Sequence, residues 1–186
     1  RASTVGSGNY SAVMVGYDDD GHEHALKVFD EDDDDDESNG AGGISLGALR
    51  EVSILRIFRG DNAHPNIISI NDVQALFDNE EEDIGNEVGG RLAMAMPLFP
   101  HGSLASSFSK ISSKRQKAII AHGILCAVAH LHEHEIMHRD IKSDNILLEY
   151  DEENKAFRPV LIDFSLAKAT KPMVMMGIAP ESVQAN

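Results

Sequence analysis

The sequence predicts an α+β chain of two lobes, a strand-rich first half carrying one helix and a second half dominated by helix. Three observations predict it. Short runs rich in Val, Ala and aromatic residues recur through residues 10–98. The strongest helical periodicity, over residues 114–133, falls in the second half. Two short apolar runs, 146–148 and 160–162, then follow, each beside polar residues of a chemical kind. The division is placed at residue 98, giving a small lobe over 1–98 and a second lobe over 99–186. No internal repeat is visible.

Residues 10–17 and 22–29 read as strands, and Asp18-Asp19-Asp20-Gly21 between them is a turn signal, so the pair is expected to be a hairpin. Residues 30–43 are eight acids followed by Ser-Asn-Gly-Ala-Gly-Gly. Such a segment has little to bury and reads as an acidic insertion. Ala48, Val52, Leu55 and Ile57 or Phe58 repeat near a 3.6 period and predict a helix over 48–58. His64-Pro65-Asn66 breaks the pattern. Residues 67–77 and 91–98 read as two further strands joined by an exposed acidic loop. In the 114–133 helix, Ile120, Ile124, Ala127, Val128 and Leu131 form one apolar stripe.

The formal charge is −15, from 31 acidic and 16 basic residues. More than half of the acids lie in four tracts, 18–20, 30–37, 80–83 and 151–153, so the remaining body is close to neutral. No basic patch suggests nucleic acid as a partner. No apolar run approaches the about 18 residues that cross a bilayer, and no charged-then-apolar leader follows Arg1. The single cysteine, Cys126, excludes an internal disulfide and fits a reducing compartment.

Several constellations carry chemistry. In Gly6-Ser7-Gly8-Asn9-Tyr10-Ser11-Ala12-Val13, two glycines let backbone approach a phosphate with no side chain between. In the strand Ala25-Leu26-Lys27-Val28, Ala25 and Lys27 point to one face, a small residue for a flat ring and an ammonium for phosphates. Glu51 sits within an apolar-striped helix, where it can reach across to Lys27. The most specific run is His138-Arg139-Asp140-Ile141-Lys142-Ser143-Asp144-Asn145, held between an apolar helix and an apolar strand. Asp140 and Asn145 stand at the spacing of a phosphotransfer catalytic loop. The run Val160-Leu161-Ile162 ends in Asp163-Phe164-Ser165, an aspartate at the end of a buried strand, and Ala179-Pro180-Glu181 follows.

In this order and spacing the six motifs resemble those of the eukaryotic protein kinases, over almost the whole chain. The resemblance implies a two-lobed protein kinase fold with a small β-rich first lobe and a truncated helical second lobe. It implies a serine/threonine kinase that transfers the γ-phosphate of ATP to a protein hydroxyl. Val5, Gly6, Ser7, Gly8, Asn9 and Val13 would cover ATP, with Ala25, Met96, Leu98 and Leu147 around the adenine. Lys27 would hold the phosphates and pair with Glu51. Asp140 would accept the substrate proton, Lys142 would approach the γ-phosphate, and Asn145 and Asp163 would hold Mg²⁺. Lys142, two residues after Asp140, is the serine/threonine pattern. The run from Gly43 to Glu51 is similar to the cyclin-contacting helix of cyclin-dependent kinases, so a cyclin-like activator is expected at helix 44–58. Residues 141–145 look more like the Ste20-type kinases. The cytoplasm or the nucleus is the expected compartment.

Three features depart from the family pattern. Ser165 stands where a glycine is usual after Asp-Phe. The segment 163–181 is short, and Thr170 is its one threonine. These admit a second reading, a pseudokinase that binds ATP without transfer. Phosphorylated Thr170 is expected to pair with Arg139. A competing pattern, His134-Glu135-Ile136-Met137-His138, matches the zinc-protease motif. That reading needs both histidines on one continuous helix, whereas His138 also opens the His-Arg-Asp run.

Overall fold

The computed structural model describes residues 3–8, 11–29, 46–77 and 90–171. At 3–8, 11, 75–77 and 90–91 it describes the backbone. The expected acidic insertion at 30–43, most of the 78–90 loop, Asn9 and the Ala179-Pro180-Glu181 run lie outside the described residues.

The first lobe is a five-stranded antiparallel sheet of order β1-β2-β3-β5-β4 with one helix. Its strands are β1 (Ser3–Gly8), β2 (Ser11–Tyr17), β3 (Glu23–Phe29), β4 (Asp72–Phe77) and β5 (Gly90–Pro97). The β2–β3 hairpin closes as the turn chemistry requires. Gly21 takes φ +83°, and its N–H donates to the Asp18 carbonyl at 3.0 Å. The Asp18 carboxylate accepts the amides of Asp20 and His22 at 3.0 and 2.8 Å. Helix α1 (Leu46–Ile57) buries Ala48, Glu51, Val52, Ile54 and Leu55, and Phe58 just beyond it is buried too. The stripe expected from the sequence is therefore the core face, with a glutamate set into it.

Residues 67–77 do not form one strand. β4 begins only at Asp72, and the apolar stretch before it crosses to the second lobe. Ile67 bridges Leu161, the Ile68 amide donates to the Leu161 carbonyl at 3.0 Å, and the Leu161 amide donates to Asn66 at 2.9 Å. Ile67, Ile68 and Ile70 are all buried, so strand alternation fails where the chain is covered from both lobes.

The second lobe is built on α3 (Lys114–Glu133), preceded by the short α2 (Leu104–Ser107). Ser113 caps α3, its hydroxyl accepting the Gln116 amide at 3.4 Å. The helix packs on the hairpin of β7 (Ile146–Asp151) and β8 (Ala156–Leu161). Gly123 makes this close approach possible: a Cβ there would lie 2.7 Å from Pro159 Cγ and 2.8 Å from Asn66 Nδ2. The small pair β6 (Ile136–Met137) and β9 (Lys168–Ala169) completes the described lobe. One hydrophobic cluster runs through both lobes, from Leu55 and Phe58 to Leu131, Ile136, Leu161 and Phe164. The architecture is the α+β two-lobed one expected. Among the described residues, no helix is long and apolar enough to cross a membrane.

Candidate active site

Sheet register assembles one wall. Val13 lies opposite Lys27, and Ala25 opposite Met96, so these four side chains share a face. Ala25 is buried, and Val13, Met96 and Leu98 are half-buried. Gly6, Ser7 and Gly8 are strand residues of β1, opposite Val13, Ala12 and Ser11, and the register shifts between Thr4 and Gly6, at Val5. A bulge of this kind bends a strand and increases its twist. From the other lobe, Leu147 bridges Ser103 just beyond the connection between the lobes, and the Leu148 amide donates to the Gly102 carbonyl.

Lys27 reaches from β3 to α1. Its Nζ donates to Glu51 Oε1 at 2.8 Å and Oε2 at 2.7 Å, and it stands 3.5 Å from Asp163 Oδ1. Glu51 is 1% exposed. Burial pushes its carboxyl above the usual range, against the pull of Lys27 and the Phe164 amide. Burial also acts to raise Asp163. There, Lys27 and the Ser165 hydrogen bonds prevail and hold the carboxyl below its usual range. Asp163 takes φ +64°, a left-handed conformation that aspartate tolerates at a cost of about 1–2 kcal/mol. Phe164 behind it is fully buried, with ring centres 6.4 Å from Phe58 and 4.7 Å from His138.

The second cluster lies on the loop after β6. Asp140 Oδ2 accepts from Lys142 Nζ at 2.7 Å and from Asn145 Nδ2 at 2.8 Å, and Asn145 Nδ2 also donates to the Asp140 carbonyl at 2.9 Å. Lys142, then Asn145, hold the Asp140 carboxyl below the usual range despite opposing desolvation. The partner effect raises Lys142. The Ile162 amide donates to the Asn145 carbonyl at 2.9 Å, tying the two clusters together one residue before Asp163. The sequence-derived residues thus fall into two linked groups, Lys27–Glu51–Asp163 and Asp140–Lys142–Asn145.

Sequence reasoning gave His138 no role of its own, yet it supports both groups. It is buried; its Nδ1 accepts the Asp140 amide at 3.3 Å, and its Nε2 bonds the Ile162 carbonyl at 3.0 Å. That pattern requires a neutral ring with the proton on Nε2. Burial, outweighing the Ile162 hydrogen bond, pushes its pKa down. A histidine depressed in the fold takes its proton first in the unfolded chain. Stability is therefore expected to fall as pH drops below the usual histidine value of about 6.5. His64, lowered by burial and by His130, adds to the same slope. Chemical denaturation between pH 8 and 5 should show this loss, and a His138→Phe variant should show a shallower slope; an unchanged slope would remove His138 from the account.

The zinc motif fails because α3 ends at Glu133, with Glu135 at φ +57° before β6, so His134 and His138 do not share a helix. Unphosphorylated Thr170 lies against Glu135. Its hydroxyl bonds the Glu135 carbonyl at 3.0 Å and carboxylate at 2.8 Å, while Arg139 Nε donates to the Leu166 carbonyl at 2.6 Å.

This geometry agrees with the comparisons. The family model described as protein kinase domain matches residues 1–182. The chain belongs to the protein kinase domain family. A protein kinase domain takes ATP as a substrate, typically with a divalent metal, and acts on protein substrates. The kinase domain is 38% identical over 121 residues to serine/threonine-protein kinase ppk6 of Schizosaccharomyces pombe, covering 65% of this chain and 14% of that protein. It is 26% identical over 166 residues to serine/threonine-protein kinase CG17528 of Drosophila melanogaster, covering 88% of this chain and 19% of the relative. It is 30% identical over 128 residues to the probable CTD kinase subunit alpha homolog of Encephalitozoon cuniculi, covering 69% and 33% respectively. The kinase domain therefore spans a third or less of these relatives.

Proposed function

We propose that this chain is the catalytic part of a protein serine/threonine kinase, transferring the γ-phosphate of ATP to a protein hydroxyl. The observation that carries the reading is the linked pair of clusters, in which each catalytic or metal-holding residue named from the sequence contacts another. Lys27, held by Glu51, binds the α- and β-phosphates. Val5, Gly6, Ser7, Gly8, Asn9 and Val13 cover the nucleotide, and Ala25, Met96, Leu98 and Leu147 enclose the adenine.

Asn145 and Asp163 hold Mg²⁺. The Asn145 amide nitrogen is engaged by Asp140, so its oxygen remains available as a ligand. Among the described residues no donor engages Asp163 Oδ2. Two hard oxygen ligands suit Mg²⁺, which commonly takes one or two protein groups and completes its shell with water and phosphate. When bound, the cation neutralises charge on the phosphates.

Asp140, with Oδ2 engaged by Lys142 and Asn145, turns its other oxygen to the substrate hydroxyl, orients it and receives its proton. A carboxyl below its usual range is a weak base. That suffices for a loose phosphoryl transfer, where positioning and charge neutralisation do most of the work. Lys142 stands beside the base and neutralises developing charge.

For an activator, we retain the cyclin-like partner at helix 44–58. Leu46 and Leu49 on α1 are 72% and 45% exposed, apolar groups turned outward, and one relative is named as a kinase subunit. The cytoplasm or nucleus is the proposed compartment. The test is incubation of the full chain with γ-labelled ATP, Mg²⁺ and a mixed protein substrate. Label on serine and threonine is the expected result. Tight ATP binding with no transfer would overturn the reading in favour of the ATP-binding pseudokinase.

A further inference from the structure

The serine that departs from the family pattern is not idle. Its hydroxyl donates to Asp163 Oδ1 at 2.7 Å, and its amide approaches the same oxygen at 3.4 Å. Lys27 Nζ lies 3.5 Å from that oxygen as well. Three donors thus converge on Oδ1, while Oδ2 has none among the described residues. A carboxylate held so unevenly has one oxygen anchored to the protein and one free to turn outward. Hydrogen bonds that anchor a ligating carboxylate fix its orientation and are worth a large factor in metal affinity.

We propose that Ser165 is a positioning residue, its hydroxyl locking the Asp163 carboxylate so that Oδ2 is presented to the divalent cation that accompanies ATP. The proposal rests on the assignment of Asp163 to the cation in the reading above. Glycine at this position would leave Asp163 with the amide and Lys27 alone. In this chain the hydroxyl supplies the shortest of the three contacts. The serine therefore compensates at the metal site for the backbone freedom that glycine would bring.

The experiment measures ATP affinity of the full chain by calorimetry across a Mg²⁺ titration, for wild type and for Ser165→Ala, Ser165→Gly and Ser165→Thr. Ser165→Ala is expected to raise the Mg²⁺ concentration at half-maximal ATP binding about tenfold or more. ATP affinity in EDTA and the thermal midpoint should be unchanged. Ser165→Gly should match Ser165→Ala, because the hydroxyl is what matters, and Ser165→Thr should restore most of the wild-type Mg²⁺ dependence. A wild-type Mg²⁺ profile in Ser165→Ala would overturn the proposal while leaving the kinase reading standing. So would an effect confined to Ser165→Gly, which would point to backbone stiffness. Failure of the wild type itself to bind ATP with Mg²⁺ would instead sink the kinase reading, and the role of Ser165 with it.

Discussion

Asp140→Asn lowers the rate of phosphoryl transfer by about 10²–10⁴-fold while leaving ATP affinity within a few-fold of wild type. The substitution is nearly isosteric. Asn can keep its side-chain oxygen toward Lys142 Nζ and Asn145 Nδ2, the two donors now at 2.7 and 2.8 Å from Oδ2. What it loses is the carboxylate, and with it the acceptor for the substrate proton. The remaining nitrogen points a donor where an acceptor is needed. The effect therefore belongs in kcat, with a small change in KM for ATP. Steady-state kinetics on the full chain, with calorimetric ATP binding alongside, separate the two. Equal turnover in wild type and Asp140→Asn would remove Asp140 from the role assigned to it.

Lys27→Met destabilises the fold by about 3 kcal/mol and abolishes phosphate binding, and the two effects have different origins. Glu51 is buried on the core face of α1, and Lys27 satisfies both of its carboxylate oxygens. Removing the ammonium strands a buried carboxylate, which costs about 3–5 kcal/mol when nothing replaces the partner. Burial already pushes Glu51 upward, so the variant relieves part of that cost by taking up a proton. Its stability should then fall with rising pH: a carboxyl raised in the fold keeps its proton longer than in the unfolded chain, and ionisation favours unfolding. The paired variant Lys27→Met with Glu51→Met should recover most of the stability, since an apolar pair of similar volume replaces the ion pair. It should recover no activity. Denaturant midpoints of the three proteins between pH 5 and 8 check both claims. If the double variant were no more stable than Lys27→Met, the stranded-carboxylate account would fail.

Much of this site was legible before any coordinates. Asp140, Lys142 and Asn145 lie within six positions, so one short loop must bring them together. Lys27 and Ala25 share a face by strand alternation. Glu51 announced itself as an acid inside an apolar stripe, an arrangement that asks for a partner. What failed was a reading that treated one segment in isolation. Residues 67–71 have strand composition, but Ile67 and Ile68 are claimed by Leu161 of the second lobe, and the chain meets the sheet at Asn71, which bonds Ala95. His134 and His138 have zinc spacing only while α3 continues, and the helix stops at Glu133. The partner of the unphosphorylated Thr170 hydroxyl is likewise set by the fold, since the pairing of β9 with β6 places it on Glu135.

The sequence by itself determined the alternation of strand and helix, the stripe of α1 and α3, and the identity of the chemical groups, because these depend on local periodicity and on side-chain chemistry. Only the tertiary structure decided how those groups pair. The Lys27–Glu51 bond spans β3 and α1, and the Ile162–Asn145 bond joins two loops. His138 has no role of its own in the sequence until it is seen buried between Asp140 and Ile162. Ser165 looks like a loss of flexibility until its hydroxyl is found on Asp163. Each of these turns on where a group points in three dimensions, and that direction is set by the packing of elements within each lobe, which no local periodicity encodes.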